Sequence, residues 1–283
     1  MFEHLVVPVD GSSASFKAVP VACRMAARVD GRVDVLTVVD RLADVADARQ
    51  MVEQGIRDLG PLPIEPAQFV HASDEVAGAI FNHIERSPGG MVLMSARGHG
   101  RSAAILGSTT DDVLRALFGP VIVIGPHALE SQGRLDGNYV VPLDGSPRSE
   151  GVLPIVAAWA TEFGGTPWLV EVADEHVGNS GDIVESSFVN SRATELRRRI
   201  SRPVEFEVLH SDHPAPEIVR FADEWNASLI FMATHGRTGL ERLRLGSVAA
   251  GVVHEAHCPV VVFRPPELVA ADEATYAASG TRS

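Results

Sequence analysis

Short apolar runs alternate along the chain with longer stretches of mixed character, and turn residues separate them. The runs HLVVPV, DVLTVVD, GMVLMSA and PVIVIGP are apolar at nearly every position, which is typical of strands covered on both faces of a parallel sheet. The stretches between them, such as EVAGAIFNHIER, are predicted to be helices. This alternation predicts an open α/β domain in the first half of the chain.

The second half of the chain repeats the order of the first. VVPVDGS at residues 6–12 matches VVPLDGS at 140–146, so that Asp10 and Asp144 lie 134 residues apart. Met94 and Met232 also match, with a spacing of 138 that points to small insertions between two diverged copies. The period is too long for a solenoid repeat. The predicted fold class is therefore α/β, with two tandem open doubly wound parallel-sheet domains of the Rossmann-like kind and about five strands each.

The repeat also fixes the predicted domain boundaries. The first domain covers residues 1–127, a polar linker covers 128–137, the second domain covers 138–267, and residues 268–283 form a flexible tail. The last strands, PVIVI and PVVVF, are expected to be edge strands that pair across a pseudo-twofold axis within the chain. The sequence leaves open whether two such chains associate further into a homodimer.

Two local features carry structural expectations. Pro20 and Pro154 fall inside the helix after the first strand of each copy, where proline kinks a helix or lies near its start. Ser108 and Ser247 stand just before a later helix and are expected to be N-caps. The run from Ser108 to Asp111 resembles a capping box.

Composition narrows the class of protein. Hydrophobic residues make up 45% and charged residues 22% of the 283 positions, as in an ordinary globular protein. The net charge of −13 argues against nucleic acid as the main partner. The amino-terminal segment lacks signal-peptide features, and no apolar run is long enough to span a membrane. Cys23 and Cys258 are expected to be buried thiols in a reducing compartment, which predicts a cytoplasmic protein without a membrane partner.

A glycine-containing segment follows the fourth predicted strand of each copy. We call GHGRSAAILGS at 98–108 the first glycine segment and GRTGLERLRLGS at 236–247 the second. Ligands of open α/β sheets bind beyond the carboxyl ends of the strands, and a helix start with glycines suits a phosphate group. Asp10 and Asp144 come at the end of the first strand of each copy. Each is placed to accept a hydrogen bond from a base or ribose, or to hold Mg²⁺ through water. Ordinary structural turns account for the same residues, since Gly-Ser often begins a helix and Asp-Gly-Ser often forms a turn.

These residues resemble the universal stress protein family, as a tandem member. The family carries Gly-x2-Gly-x9-Gly-[Ser/Thr] after an apolar fourth strand and an aspartate at the end of the first strand. The resemblance covers about residues 3–127 and 138–266. It implies ATP binding, with adenine near the first two strands, the phosphates on the glycine segment and its helix, and Mg²⁺ brought by the nucleotide.

The resemblance implies one set of nucleotide-binding residues in each copy. In the first copy they are Pro8, Asp10, Val38, Met94, Arg97, Gly98, Gly107, Ser108 and Thr109. In the second copy they are Pro142, Asp144, Val172, Met232, His235, Gly236, Gly246, Ser247 and Val248.

Both copies depart from the family pattern. The first glycine is Ser95 in one copy and Ala233 in the other. Eight residues rather than nine separate Gly98 from Gly107, so the first loop is tighter or Gly100 takes part of the role of Gly98. Arg97 is expected to compensate as a cation near phosphate. The second site is therefore favoured over the first.

Other candidate chemistry is weaker. His254 and His257 have a spacing that suits a metal, but two ordinary helical histidines are the favoured interpretation. His71 and His99 are expected to have no companions. The basic run ELRRRISR at 195–202 is expected to be a solvated helix face, with an acidic docking partner as the sharper alternative.

The favoured function is an ATP-binding stress-response module rather than an enzyme. No general base is paired with a group that positions a nucleophile, and no lysine lies at the glycine segments, so ATP hydrolysis is expected to be slow at most. An interaction scaffold of the same fold that binds no nucleotide stays open as the alternative. An ATP-using ligase or kinase would need a further catalytic domain, for which the chain has no room.

Overall fold

The computed structural model of the chain describes residues 3–87, 89–97, 106–117, 119–129, 134–174, 182–234 and 245–264. Three of the residues implied for nucleotide binding, Gly98, His235 and Gly236, lie outside this described part. The predicted tail at 268–283 and His99 lie outside it as well.

The first copy alternates strands and helices in the predicted order. Its strands are β1 (His4–Pro8), β2 (Arg32–Val39), β3 (Ala67–Ala72), β4 (Gly90–Ser95) and β5 (Val121–Ile124). Its helices are α1 (Ser13–Phe16), α2 (Ala18–Ala27), α3 (Val45–Asp58), α4 (Val76–Glu85) and α5 (Ser108–Ala116), with a 3-10 turn at Leu42–Asp44.

The second copy repeats this order. Its strands are β6 (Asn138–Pro142), β7 (Thr166–Ala173), β8 (Glu205–His210), β9 (Ala227–Ala233) and β10 (Val260–Phe263). Its helices are α6 (Pro147–Glu150), α7 (Leu153–Phe163), α8 (Asp182–Ile200), α9 (Pro214–Glu224) and α10 (Ser247–Glu255).

All ten strands join into one sheet in the order β3-β2-β1-β4-β5-β10-β9-β6-β7-β8. The strands within each copy are parallel, which confirms two open doubly wound units of five strands. The two copies meet where β10 runs antiparallel to β5, with Val261 opposite Ile122. The expected pairing of the two last strands is therefore confirmed, and it removes an edge from each half of the sheet.

The apolar strands are explained by helices on both faces of the sheet. Val7 packs into a core under α2 and α3, whereas its neighbour Val6 packs into the opposite core under α4 and α5. Because successive strand residues point to opposite faces, a strand covered on both sides must be apolar throughout. Cys23 and Cys258 are buried free thiols, as expected. Burial raises the pKa of Cys23 to about 11 and that of Cys258 to about 12.

Each predicted first helix is divided in two. A short helix, α1 or α6, precedes the longer α2 or α7. Pro20 is the third residue of α2 and Pro154 the second residue of α7, so both prolines lie near a helix start. At these positions the missing amide costs no hydrogen bond within the helix.

The expected serine N-caps are wrong. Gly107 is the N-cap of α5 and Gly246 is the N-cap of α10, so Ser108 and Ser247 are already the first residues of their helices. The capping box from Ser108 to Asp111 is wrong for the same reason. The N-cap is the non-helical residue that flanks the first residue with helical dihedral angles, and here that residue is the glycine, with ψ 153° at Gly107 and 152° at Gly246.

The expectations for the basic run and for a membrane span can be compared with the structure. Arg197, Arg198 and Arg199 are exposed in the last turns of α8, as predicted for a solvated basic face. Across the residues that the structure describes, no helix has both the length and the apolarity needed to cross a membrane.

One polar cluster is buried in the first copy, and it corrects the expectation for His71. His4, Asp34 and His83 are each less than 9% exposed, and His71 Nε2 lies 3.0 Å from His83 Nδ1. The expectation that His71 has no companion is therefore wrong, because α4 brings His83 against β3. Burial alone would raise the pKa of Asp34, but the close contact with His4 and the hydrogen bond with His83 outweigh burial and lower it.

Candidate functional site

A cleft opens at the carboxyl end of the strands in each copy. The sheet order places β1 between β2 and β4, and β6 between β7 and β9, so each cleft lies where the chain switches direction across the sheet. The first cleft has a volume of about 210 Å³ and the second about 200 Å³.

Those implied residues that the structure describes lie together around the cleft of each copy. The first cleft is lined by Pro8, Asp10, Val38, Met94, Arg97, Gly107, Ser108 and Thr109. The second is lined by Pro142, Asp144, Val172, Met232, Gly246, Ser247 and Val248.

The Asp-Gly-Ser turn has a clear structural role in both copies. Asp144 Oδ1 accepts from the backbone amide of Ser146 at 3.0 Å and from its hydroxyl at 2.6 Å. Gly145 adopts a left-handed φ of 76°, which favours glycine. Ser146 in turn caps α6 by accepting from the amide of Ser149 at 3.2 Å. The turn therefore fixes the Asp144 carboxylate at the edge of the second cleft.

The first copy builds its turn in the same way. Asp10 Oδ1 accepts from the amide of Ser12 at 3.0 Å and from its hydroxyl at 2.6 Å. Gly11 has a φ of 86°, and Ser12 accepts from the amide of Ser15 at 3.1 Å. The structural interpretation of Asp-Gly-Ser is thus correct, and it leaves the aspartate beside the cleft in both copies.

The start of α10 forms one wall of the second cleft. The Gly246 amide donates to the Thr234 carbonyl at 2.8 Å, and the Gly246 carbonyl accepts from the Ala250 amide at 2.8 Å. Glycine has no side chain with which to cap the helix, so the first-turn amides of Ser247 and Val248 receive no cap from the N-cap residue. The positive end of the helix dipole lies at this wall, where it favours an anion.

Thr234 is a candidate site residue that the sequence reasoning missed. It lines the second cleft and is 4% exposed. Its Oγ1 is buried and has no hydrogen-bond partner within the described part of the chain. A buried hydroxyl left without a partner costs about 1–3 kcal/mol, so this group is set to donate to a ligand. The available signal was a threonine directly after a strand that is apolar at every position except Ser228.

The first cleft has a different polar set. Ala96 occupies the position of Thr234, since Gly107 donates to the Ala96 carbonyl at 2.8 Å. The Ser95 hydroxyl donates to the Ala14 carbonyl at 2.6 Å and so belongs to an internal contact. Arg97 lines the first cleft and brings a cation to it. The two clefts therefore share a shape but differ in which groups can meet an anion.

The remaining walls are apolar in both copies. Val172, Met232 and Ile218 line the second cleft, and Val38, Met94 and Ile80 line the first. An apolar wall beside a few convergent polar groups is the usual form of a small-molecule site. Such a cleft suits a flat ring on the apolar side and an anionic group at the helix start.

Comparisons with known proteins agree with the duplicated pattern. The universal stress protein family model matches residues 1–125 and again residues 138–264. A universal stress protein of Mycobacterium tuberculosis is 28% identical over 312 residues, covering 93% of this chain and 95% of its own. One of Methanocaldococcus jannaschii is 35% identical over 140 residues, covering 45% of this chain and 82% of its own.

One solved structure shares the fold over most of the chain. The crystal structure of a universal stress protein from Archaeoglobus fulgidus covers 93% of this chain and 98% of its own, at a TM-score of 0.64 and 20% identity. A universal stress protein from the same organism was solved in complex with dAMP. It is 28% identical and covers 45% of this chain and 96% of its own, at a TM-score of 0.37.

The two matches to the family model coincide with the two five-stranded units of the sheet. Each unit has the aspartate that follows the first strand and the Gly-Ser helix start on which the resemblance rests. The chain belongs to the universal stress protein family and carries the family's domain twice.

Proposed function

We propose that the protein binds ATP in the second cleft and works as a nucleotide-responsive module in stress signalling. The start of α10 carries this proposal, because helix amides without a side-chain cap lie beside the buried hydroxyl of Thr234. Both features favour a group with several acceptor oxygens, and a triphosphate supplies them.

The apolar wall accounts for the other end of the ligand. Val172 and Met232 offer a surface against which an adenine ring can pack. Asp144 lies beside them with one oxygen held by Ser146, an arrangement that keeps the carboxylate in place for a ribose hydroxyl or for hydrated Mg²⁺. Mg²⁺ would arrive with the nucleotide, since it usually keeps several waters and bridges phosphates.

The first cleft is proposed as a weaker site for the same ligand. It has the same aspartate and helix start but lacks the buried threonine hydroxyl, because Ala96 stands at that position. Arg97 offers a cation instead. Occupancy of the two clefts can therefore differ within one chain, although both belong to one continuous sheet.

We assign the protein a binding role, with ATP hydrolysis at most slow. The pairing of β5 with β10 makes the chain an intramolecular pseudo-dimer. The signal that it transmits is then the presence or absence of nucleotide.

The direct test is the content of the purified protein. The full chain is purified without added nucleotide and denatured, and the released small molecules are identified by chromatography and mass. We expect ATP at about one per chain, or uptake of added Mg-ATP by protein that is empty at first. Protein that is empty and takes up no Mg-ATP would overturn the proposal and favour the interaction scaffold.

A further inference from the structure

A second set of convergent groups lies at the opposite end of β1 from the first cleft. His4 is the first residue of β1, and Pro8, which lines the cleft, is the last. Three strand residues lie between them, so they are about 13 Å apart. The set consists of His4, Asp34 and His83, supplied by β1, β2 and α4.

The three side chains offer two imidazole nitrogens and one carboxylate oxygen within a small space. Asp34 Oδ2 lies 2.7 Å from His4 Nε2 and 2.9 Å from His83 Nε2. All three ligand atoms lie within 4.8 Å of one another. Around tetrahedral zinc, with bonds of about 2.0–2.1 Å, ligand atoms lie about 3.3 Å apart. The two distances from Asp34 Oδ2 to the imidazole nitrogens would need to lengthen by only about half an ångström to hold such an ion.

The hydrogen bonds within the cluster do not account for its buried polar atoms. His4 is 2% exposed, yet neither of its ring nitrogens makes a hydrogen bond within the described part of the chain. Its Nε2 lies 2.7 Å from Asp34 Oδ2 without the alignment of a hydrogen bond. A buried polar nitrogen that is left unsatisfied is costly, and a metal bond to Nε2 would satisfy it.

His71 adds the outer contact that metal-binding histidines usually have. His83 Nδ1 lies 3.0 Å from His71 Nε2, so His83 uses one ring nitrogen toward Asp34 and the other toward His71. With a metal on Nε2, the Nδ1 hydrogen of His83 donates to His71, which fixes the tautomer and the ring orientation. His71 and His83 also line a surface pocket of about 200 Å³, which gives an ion a route from solvent.

The second copy provides an internal comparison, because its matching positions cannot bind a metal. Asn138 begins β6 as His4 begins β1, and Trp168 pairs with Val140 as Asp34 pairs with Val6. The ring of Phe221, on α9, packs 5.7 Å from that of Trp168. The same place in the fold is therefore filled by aromatic packing in one copy and by metal-ligand chemistry in the other.

We propose that His4, Asp34 and His83 bind one divalent transition-metal ion of the zinc class. Two imidazoles and a carboxylate suit Zn²⁺ and its neighbours, whereas Mg²⁺ and Ca²⁺ prefer an all-oxygen set. His71 is a positioning residue that acts through His83.

The test uses the full chain without an affinity tag, loaded with excess Zn²⁺ and then passed through a weak chelator. Inductively coupled plasma mass spectrometry should then find about one Zn²⁺ per chain. Replacement by Co²⁺ should give the intense visible absorption of a tetrahedral ion. Zinc far below one per chain, together with a Co²⁺ spectrum of the hydrated ion, would overturn the proposal.

Variants locate the ion. His4→Asn places the residue of the second copy in β1, and His83→Gln keeps a polar group facing Asp34; each should lose the bound zinc. His71→Leu, which introduces the residue type of Leu209 at the matching register, should weaken zinc binding roughly 10–100-fold. His257→Ala removes an exposed histidine of the second copy and is the matched control, which should keep its zinc.

Zinc retained in full by a folded His4→Asn variant would overturn the assignment. If the His257→Ala control loses its zinc while His4→Asn retains it, the assignment is also overturned. The zinc would then be bound by surface histidines of the second copy. If a variant does not fold, the zinc content and Co²⁺ spectrum of the unaltered chain still decide the question.

Discussion

The backbone amide of Gly246 donates a 2.8 Å hydrogen bond to the carbonyl of Thr234, which ties the start of α10 to the residue after β9. Gly246 is the N-cap of α10, so the contact fixes the point at which the helix begins. It also brings the unpartnered Thr234 hydroxyl and the first amides of α10 to the same cleft. Gly107 and Ala96 repeat the contact in the first copy, without the hydroxyl.

Gly246→Glu should abolish nucleotide binding at the second cleft. The carboxylate would place a negative charge at the helix start, where the phosphates are proposed to lie, and would fill the space beside them. The N-cap backbone has φ −56° and ψ 152°, which any residue adopts, so the fold should persist. Calorimetric titration with Mg-ATP measures the loss, with Gly246→Ala as the matched control that retains binding. Unchanged affinity in a folded Gly246→Glu protein would remove α10 from the site.

Asp144→Ala should weaken ATP binding by about 1–3 kcal/mol, the usual cost of losing a charged hydrogen bond. The same substitution removes the acceptor for Ser146, so a control must separate binding from turn stability. Asp144→Asn keeps an oxygen for Ser146 and removes only the charge. If both variants bind ATP as tightly as the unaltered chain, Asp144 is only a turn residue.

Thr234→Val should affect the empty and the bound protein in opposite ways. Valine matches threonine in shape and removes a buried hydroxyl without a partner in the described structure, so the empty protein should be as stable or more stable. Loss of a donor to phosphate should weaken ATP binding by about 1 kcal/mol, or roughly fivefold. Thermal unfolding with and without Mg-ATP measures both effects. Ala96→Ser introduces a hydroxyl at the matching position and should strengthen ATP binding in the first cleft. If Thr234→Val and Ala96→Ser both leave the affinity for ATP unchanged, a hydroxyl at this position does not contact the nucleotide.

Alkaline pH should destabilise the folded protein through its buried thiols. Burial raises the pKa of Cys23 from 9.0 to about 11 and that of Cys258 from 9.0 to about 12, so the folded state keeps protons that the unfolded chain releases. The contribution of the two thiols to the free energy of unfolding is therefore full below their unfolded pKa of about 8.5–9. It is lost as the pH rises through their pKa values in the folded protein. Denaturant unfolding between about pH 8 and pH 11 measures the slope, which should be shallower for a Cys23→Ala, Cys258→Ala double variant. Equal slopes would show that the thiols do not titrate differently on folding.

Local pattern was enough to predict most of the fold. Two-sided burial produces strands that are apolar at every position, and the duplication made every strand of the first copy predict one in the second. The antiparallel contact between Ile122 and Val261 followed from two apolar strands that each needed a partner. The residues lining the clefts followed from the family resemblance, and the structure brings them together.

Features that depend on distant contacts were not predictable in this way. Gly246, the N-cap of α10, donates to the carbonyl of Thr234 across the second glycine segment, a contact between residues twelve positions apart. Similarly, His71 meets His83 only because α4 packs beside β3, and no local pattern records that contact. Both errors came from interpreting a residue by its chain neighbours alone.

In the proposed complex, the first amides of α10 hold the phosphates of ATP. The most direct test follows the backbone amide resonances of the full chain by NMR while Mg-ATP is added to nucleotide-free protein. We predict saturable shifts at Gly246, Ser247 and Val248 that exceed those elsewhere in the second copy, and no such shifts with adenosine alone. Saturable ATP binding that leaves these three amides unmoved would contradict the claim.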